Sequence, residues 1–213
     1  MKTGVGAALG TAAFSASLLA APTTFPLIQK ANLVYQGAFR VPQGTSDTTT
    51  FAYGGTALGY NAGNNSLYIT GHDHAQFSAE ISIPAVVVNS TKLNDLATAT
   101  LLQPLRDATE GKLRQINPSD LNPQKIGGHL VYNGKLIVTG FSYYDGGGTQ
   151  SASHFSRPLT LSTTGQVIGP YSVGSDPHFV GGYMTVVPPE WQASFAGPAL
   201  TGMCCLSIAN VQS

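Results

Sequence analysis

The sequence predicts an all-β chain assembled from repeated antiparallel units of propeller-blade type, and three observations carry that reading. Charged residues are only 9% of the chain, against about 25% in an ordinary soluble domain, and glycine is 25 of 213. Low charge with abundant Gly, Thr, Ser, Asn and Tyr suits short strands and tight turns rather than a helical bundle. The body of the chain also repeats itself, which is the third and deciding observation. With 42% hydrophobic residues the chain can bury a sizeable core.

The elements follow in order. Met1 and Lys2 precede an apolar run from Val5 to Leu19, then Ala20, Ala21 and Pro22. This reads as a secretory signal over 1–21, with 22–213 as the β domain. The competing reading is a membrane anchor, but the run is short and mostly Ala and Gly. Gly54-Gly55 opens a strand ending at Tyr60-Asn61, a Gly/Asn loop, and a strand ending at Thr70-Gly71. Gly127-Gly128 opens a second copy, ending at Tyr132-Asn133, with a return strand ending at Thr139-Gly140. Asn133-Gly134 is a strong two-residue hairpin signal, because both residues tolerate positive φ. Third strands follow near Ser78–Pro84 and Ser153–Pro158, and a third start appears at Gly181-Gly182. An outer strand is expected around Thr98 to Leu102. Pro188–Phe195 reads as a short helix with Gly197 as its stop.

Such units suit four-stranded blades, while strand periodicity alone equally allows a β-sandwich or a β-solenoid. The three starts make about three units, and a closed propeller needs at least about four blades. The expectation is therefore an incomplete propeller, with the chain a fragment of a longer protein. Several phrases carry a resemblance: Leu67–Asp73, Ala79–Pro84, Lys125–Gly128, Ser142–Asp145, Gly182–Met184 and Glu190–Gln192. In order and spacing they resemble a group of uncharacterised secreted bacterial propeller-like proteins. That resemblance implies a propeller-like fold and export, and it brings no activity and no site residue with it.

Ten basic and ten acidic residues leave no net charge, hence no electrostatic footprint for nucleic acid or an anionic membrane. No Gly-x-Ser-x-Gly or His-Glu-x-x-His is present. The densest polar cluster is His72-Asp73-His74, at a strand end. In an extended segment His72 and His74 share one face and offer two metal ligands, with a third needed from His129, His154, Asp145 or Asp176. The alternative is a turn organised by Asp73. His129 aligns with Thr56 and Tyr183 after the paired glycines. Those three would line a central channel if the Gly-Gly strands are innermost, while a hydrogen-bonded structural histidine is the plainer alternative. Tyr143-Tyr144-Asp145 follows the second hairpin, where two rings beside a carboxylate could grip a sugar.

The functional expectation is a secreted or periplasmic binding or scaffold module for a polysaccharide, a surface protein or a small ligand. The alternative is a propeller hydrolase or lyase acting on glycans, metal-dependent in one form, with His72, His129 and Asp145 as candidates. The residues name no cofactor.

Cys204 and Cys205 are the only cysteines and are adjacent. They form either a vicinal disulfide or two buried thiols. A ring is strained, because neighbouring Cα atoms sit about 3.8 Å apart, below the usual disulfide window. Intact-mass measurement separates the two states: a loss of two hydrogens in the native monomer marks the ring, and two alkylatable thiols in the unfolded, unreduced chain exclude it.

Overall fold

A computed structural model of the chain describes residues 27–203 apart from Thr56 and Ser175. The expected signal segment, Thr56 and the Cys204-Cys205 pair lie outside the described residues. The protein is all-β with little helix. Two four-stranded antiparallel sheets follow one another in the chain, each in simple meander order. The first holds β1 (Leu58–Asn61), β2 (Ser66–Thr70), β3 (Ser78–Ser82) and β4 (Leu101–Arg106). The second holds β5 (Gln124–Tyr132), β6 (Lys135–Ser142), β7 (His154–Pro158) and β8 (Ile168–Tyr171). A two-stranded piece, β9 (Met184–Val186) with β10 (Ala199–Thr201), flanks the short helix α1 (Pro189–Phe195). Among the described residues no helix is long and apolar enough to cross a membrane.

Local chemistry explains these elements. Asn133 and Gly134 both take positive φ, 48° and 69°, and close the β5–β6 hairpin. The longer first loop returns through Asn65, also left-handed at 47°. α1 ends at Ala196, in the left-handed region at φ 53°, one residue before the glycine expected to stop it. The outer strand of the first sheet starts later than the sequence suggests, at Leu101, while Thr98 makes only an isolated bridge to Arg40. Pro104 sits within that strand because β4 is an edge strand, where a missing N–H costs no ladder bond. The same tolerance explains β8, which the sequence reading missed: Gly169-Pro170 looks like a breaker but lies on an edge.

The middle strands are buried on both faces. Along β2, Tyr68 enters the core shared with the second sheet, among Ile126, Leu136, Val138 and Phe155. The next residue, Ile69, enters a separate core with Ala79, Ile81 and Leu105, covered by Phe39, Val41 and Phe51. Period-two alternation thus feeds two cores from one strand.

Successive sheets meet through their first strands. A Cβ added to Gly59 of β1 would lie 2.7 Å from His129 Cβ on β5. One added to Gly127 would lie 1.9 Å from the Gly181 carbonyl oxygen, and one on Gly128 2.3 Å from that of Gly182. The Thr139 hydroxyl donates to the same Gly182 carbonyl at 2.6 Å. The paired glycines therefore permit backbone-to-backbone approach that any side chain would block.

Gly127→Ala is expected to cost about 1–3 kcal/mol of stability, because its obstacle is backbone. Gly202→Ala, with open space around the added carbon, is expected to stay within about 0.5 kcal/mol. Urea unfolding of the two variants checks this, and equal midpoints would contradict it.

Candidate functional site

The loop after β2 is a turn rather than an extended segment. The His72 carbonyl accepts from the N–H groups of Ala75 and Gln76 at 3.1 and 3.0 Å, and Gln76 is left-handed at φ 53°. The His72 N–H in turn donates to the Thr50 carbonyl at 2.9 Å, tying this turn to the segment before β1. That segment makes its own turn at 45–49, where Thr49 Oγ1 accepts from the N–H groups of Thr45 and Ser46. Asp47 projects from it.

The result is a cluster that the extended-strand reading reached by another route. Asp47 Oδ1 lies 3.6 Å from His72 Nε2, and Asp47 Oδ2 lies 3.5 Å from His74 Nδ1. The two imidazole centroids are 4.9 Å apart. The third member is thus Asp47, and none of His129, His154, Asp145 or Asp176 joins it among the described residues. His72 is buried while the His74 side chain is 76% exposed, so the first is fixed and the second is free to adjust. The His74 backbone N–H donates to His72 Nδ1 at 3.1 Å. A neutral His72 therefore carries its proton on Nε2, facing Asp47. Tyr53 stands edge-on to His72 at 5.7 Å, 86% exposed and held at φ 55°. Asp47, Tyr53, His72, Asp73 and His74 line an open cavity of about 490 Å³.

Asp73 points the other way, toward the second sheet. Lys125 Nζ donates to its Oδ2 at 2.7 Å and to its carbonyl at 3.2 Å. Gln76 completes the link: its amide nitrogen donates to the Asp73 carbonyl at 2.5 Å, and its Oε1 accepts from the Ile126 N–H at 2.6 Å. Lys125 Nζ also lies 5.9 Å from the centroid of the Tyr143 ring, within cation–π range. One lysine thus joins the His72 loop of the first sheet to the Tyr143 loop of the second. Tyr143 and Tyr144 are each about half exposed.

The other candidates lie elsewhere. Asp145 is buried and turned into its own loop, where Oδ1 accepts from the Thr149 N–H and hydroxyl and Oδ2 from the Gln150 N–H. It orders the glycine loop instead of facing solvent beside the tyrosines. His129 is fully buried between the sheets, with Nε2 2.8 Å from Ser78 Oγ on β3. Its Nδ1 makes no well-formed hydrogen bond. Burial lowers its pKa to about 4, with a smaller opposing effect from the Ala57 backbone. Tyr183, which the repeat aligns with His129, is half exposed at the start of the third unit. The two do not form a shared polar set. His154 joins the second sheet to β10: Thr201 donates its hydroxyl to the Val180 carbonyl, so it accepts from His154 Nε2 at 3.0 Å. Burial lowers the His154 pKa to about 4 as well.

Glu80 is a residue that sequence reasoning passed over. It is 2% exposed on β3, and its carboxylate accepts from Ser66, from Asn61 at 2.9 Å, from Asn64 at 3.1 Å and from Gln103 at 2.6 Å. Burial alone would raise its pKa, but these donors together outweigh burial and lower it. Gln103 also donates to the Leu159 carbonyl, which accepts the Tyr68 hydroxyl at 2.6 Å. Burial, reinforced by the Glu80 charge, pushes the Tyr68 pKa up to about 12. This network stitches the first sheet to the second at the end of β7. The strand register alone would not have revealed it, since Glu80 stands opposite Tyr68 while Ser66 stands opposite Asn61 and Ser82.

No protein family, curated protein or solved structure matches this chain.

Acid is expected to destabilise the protein in two steps. Unfolded histidines take protons near pH 6.5, whereas native His129 and His154 hold out to about 4. The unfolded chain binds more protons between those values, so stability falls as pH drops through that window, by on the order of 3 kcal/mol for His129. The Glu80 contribution is complete above its ordinary value of 4.5 and is lost as pH falls through its lower native value. Urea unfolding at pH 7 and pH 4.5 checks the first step. His129→Gln should reduce the stability lost between them, and an undiminished loss would contradict the assignment.

Proposed function

We propose that the chain is an exported binding module whose successive sheets are propeller-type blades. Its ligand face is the loop end carrying Tyr53, His72, His74, Lys125 and Tyr143. The observation that carries this reading is the placement of Lys125, which holds Asp73 of one sheet and covers the Tyr143 ring of the next. Loops from two repeat units thereby make one continuous surface. Exposed tyrosine rings beside carboxylate, imidazole and ammonium groups suit a polyhydroxylated ligand, which stacks its apolar face and hydrogen-bonds its edge. A polysaccharide is the ligand class proposed. Tyr53 supports it further, since a bulky residue held in the left-handed region is over-represented where side chains are presented for function.

The blade assignment draws on the two meanders of equal strand number, on the third Gly-Gly start, and on first strands packed side by side at glycines. Export draws on the apolar N-terminal run and its small residues. A glycan hydrolase or lyase would need His129 or Asp145 beside His72. His129 is spent between the sheets and Asp145 within its own loop, so binding is the better supported reading.

Affinity electrophoresis of the full chain through gels holding soluble polysaccharides tests the proposal. At least one polysaccharide should retard the protein. Tyr53→Ala and Tyr143→Ala should each weaken that retardation about tenfold, or 1.4 kcal/mol, with unchanged melting temperature. No retardation in any gel, or variants retarded like the parent, would overturn it.

A further inference from the structure

We propose that Asp47, His72 and His74 bind a divalent transition ion of the zinc kind, independently of whether the surrounding face binds a polysaccharide. The set offers two imidazole nitrogens and one carboxylate oxygen, the donor types that zinc accepts and that calcium or magnesium does not favour. All three ligand atoms lie within 4.8 Å of one another. Tetrahedral ligands about 2.0–2.2 Å from zinc stand about 3.3 Å apart. Asp47 Oδ1 stands 3.6 Å from His72 Nε2, already near that spacing, while His74 Nδ1 lies 3.5 Å from the other carboxylate oxygen and within 4.8 Å of the ligand set. The exposed His74 side chain supplies the remaining movement.

The three ligands come from two turns tied to each other by backbone, with the His72 N–H on the Thr50 carbonyl. Closure around an ion therefore does not require ordering a distant segment. Three protein ligands leave one coordination position, and it faces the cavity that Tyr53 borders. His72 must rearrange its proton. In the ion-free state Nδ1 accepts the His74 N–H, so Nε2 holds the imidazole proton. Coordination takes the Nε2 lone pair, the proton moves to Nδ1, and the hydrogen bond from the His74 backbone is given up. Ion binding is thus coupled to the conformation of the 72–76 turn.

The test uses the full chain, stripped with chelator and dialysed against Zn²⁺ alone. Close to one ion per chain should be retained, and a tenfold excess of Ca²⁺ should not displace it. His74→Ala and Asp47→Asn, both at exposed positions, should each weaken Zn²⁺ binding at least tenfold while leaving the melting temperature of the ion-free protein unchanged. In the parent, the backbone amide resonance of His74 should shift on Zn²⁺ addition. Failure to retain Zn²⁺, displacement by Ca²⁺, or retention undiminished in both variants would overturn the site. Since none of these measurements involves a polysaccharide, their failure leaves the binding-module reading standing.

Discussion

The structure depends on one constraint: consecutive sheets must approach backbone to backbone at their first strands. Gly59 against His129, and Gly127 and Gly128 against Gly181 and Gly182, set that distance. Once it is fixed, the side chains of β2 and β6 are enclosed on both faces, and a polar group caught between sheets is costly unless it finds a partner inside. Glu80 with its four donors, His154 between Ser153 and Thr201, and Arg157 are consequences of that enclosure. Arg157 is 1% exposed and donates to the carbonyls of Ala108, Thr160, Leu161 and Thr163 instead of to a carboxylate. It gathers the connection after β4 and the turn after β7 around one guanidinium, which suits its five fixed donors.

The same constraint places the candidate site. Sheets held this closely keep equivalent loops side by side, so the turn after β2 and the turn after β6 share an end of the molecule. Lys125, at the start of β5, reaches both. The segment before β1 folds back over the outer face of the first sheet, burying Phe39, Val41 and Phe51 there. That packing brings the 45–49 turn, and with it Asp47 and Tyr53, to the His72 loop. The site is therefore assembled from three stretches of chain that the core positions for its own reasons.

Much of the fold was legible because its signals are local. Asn133-Gly134 fixes a hairpin by backbone sterics alone, whereas the paired glycines serve different contacts in the two copies: Gly127 and Gly128 lie against Gly181 and Gly182, and Gly54 lies against Gly71 of its own unit. β8 was not legible, since an edge strand relaxes the rules that make Gly169-Pro170 look like a break. At the site, His72 and His74 stood out by their spacing, while Asp47 did not: it sits in a Thr/Ser-rich stretch and reaches them only through tertiary packing. Lys125 was equally silent, as a lone lysine at a strand start carries no pattern. His129 drew attention for its place in the repeat, but the repeat fixes only its strand position. The neighbouring sheet decides whether it faces a channel or Ser78.

Packing of the two sheets joins their end loops into one surface, and the contact between Asp73 and Lys125 is where this is most directly measured. A double-mutant cycle on unfolding free energy, with Asp73→Asn, Lys125→Met and the double variant, isolates that contact. The Lys125 side chain is largely buried, so a coupling of about 1 kcal/mol, persisting at moderate salt, is expected. Additive single effects would mean that the two loops do not meet, and would contradict it.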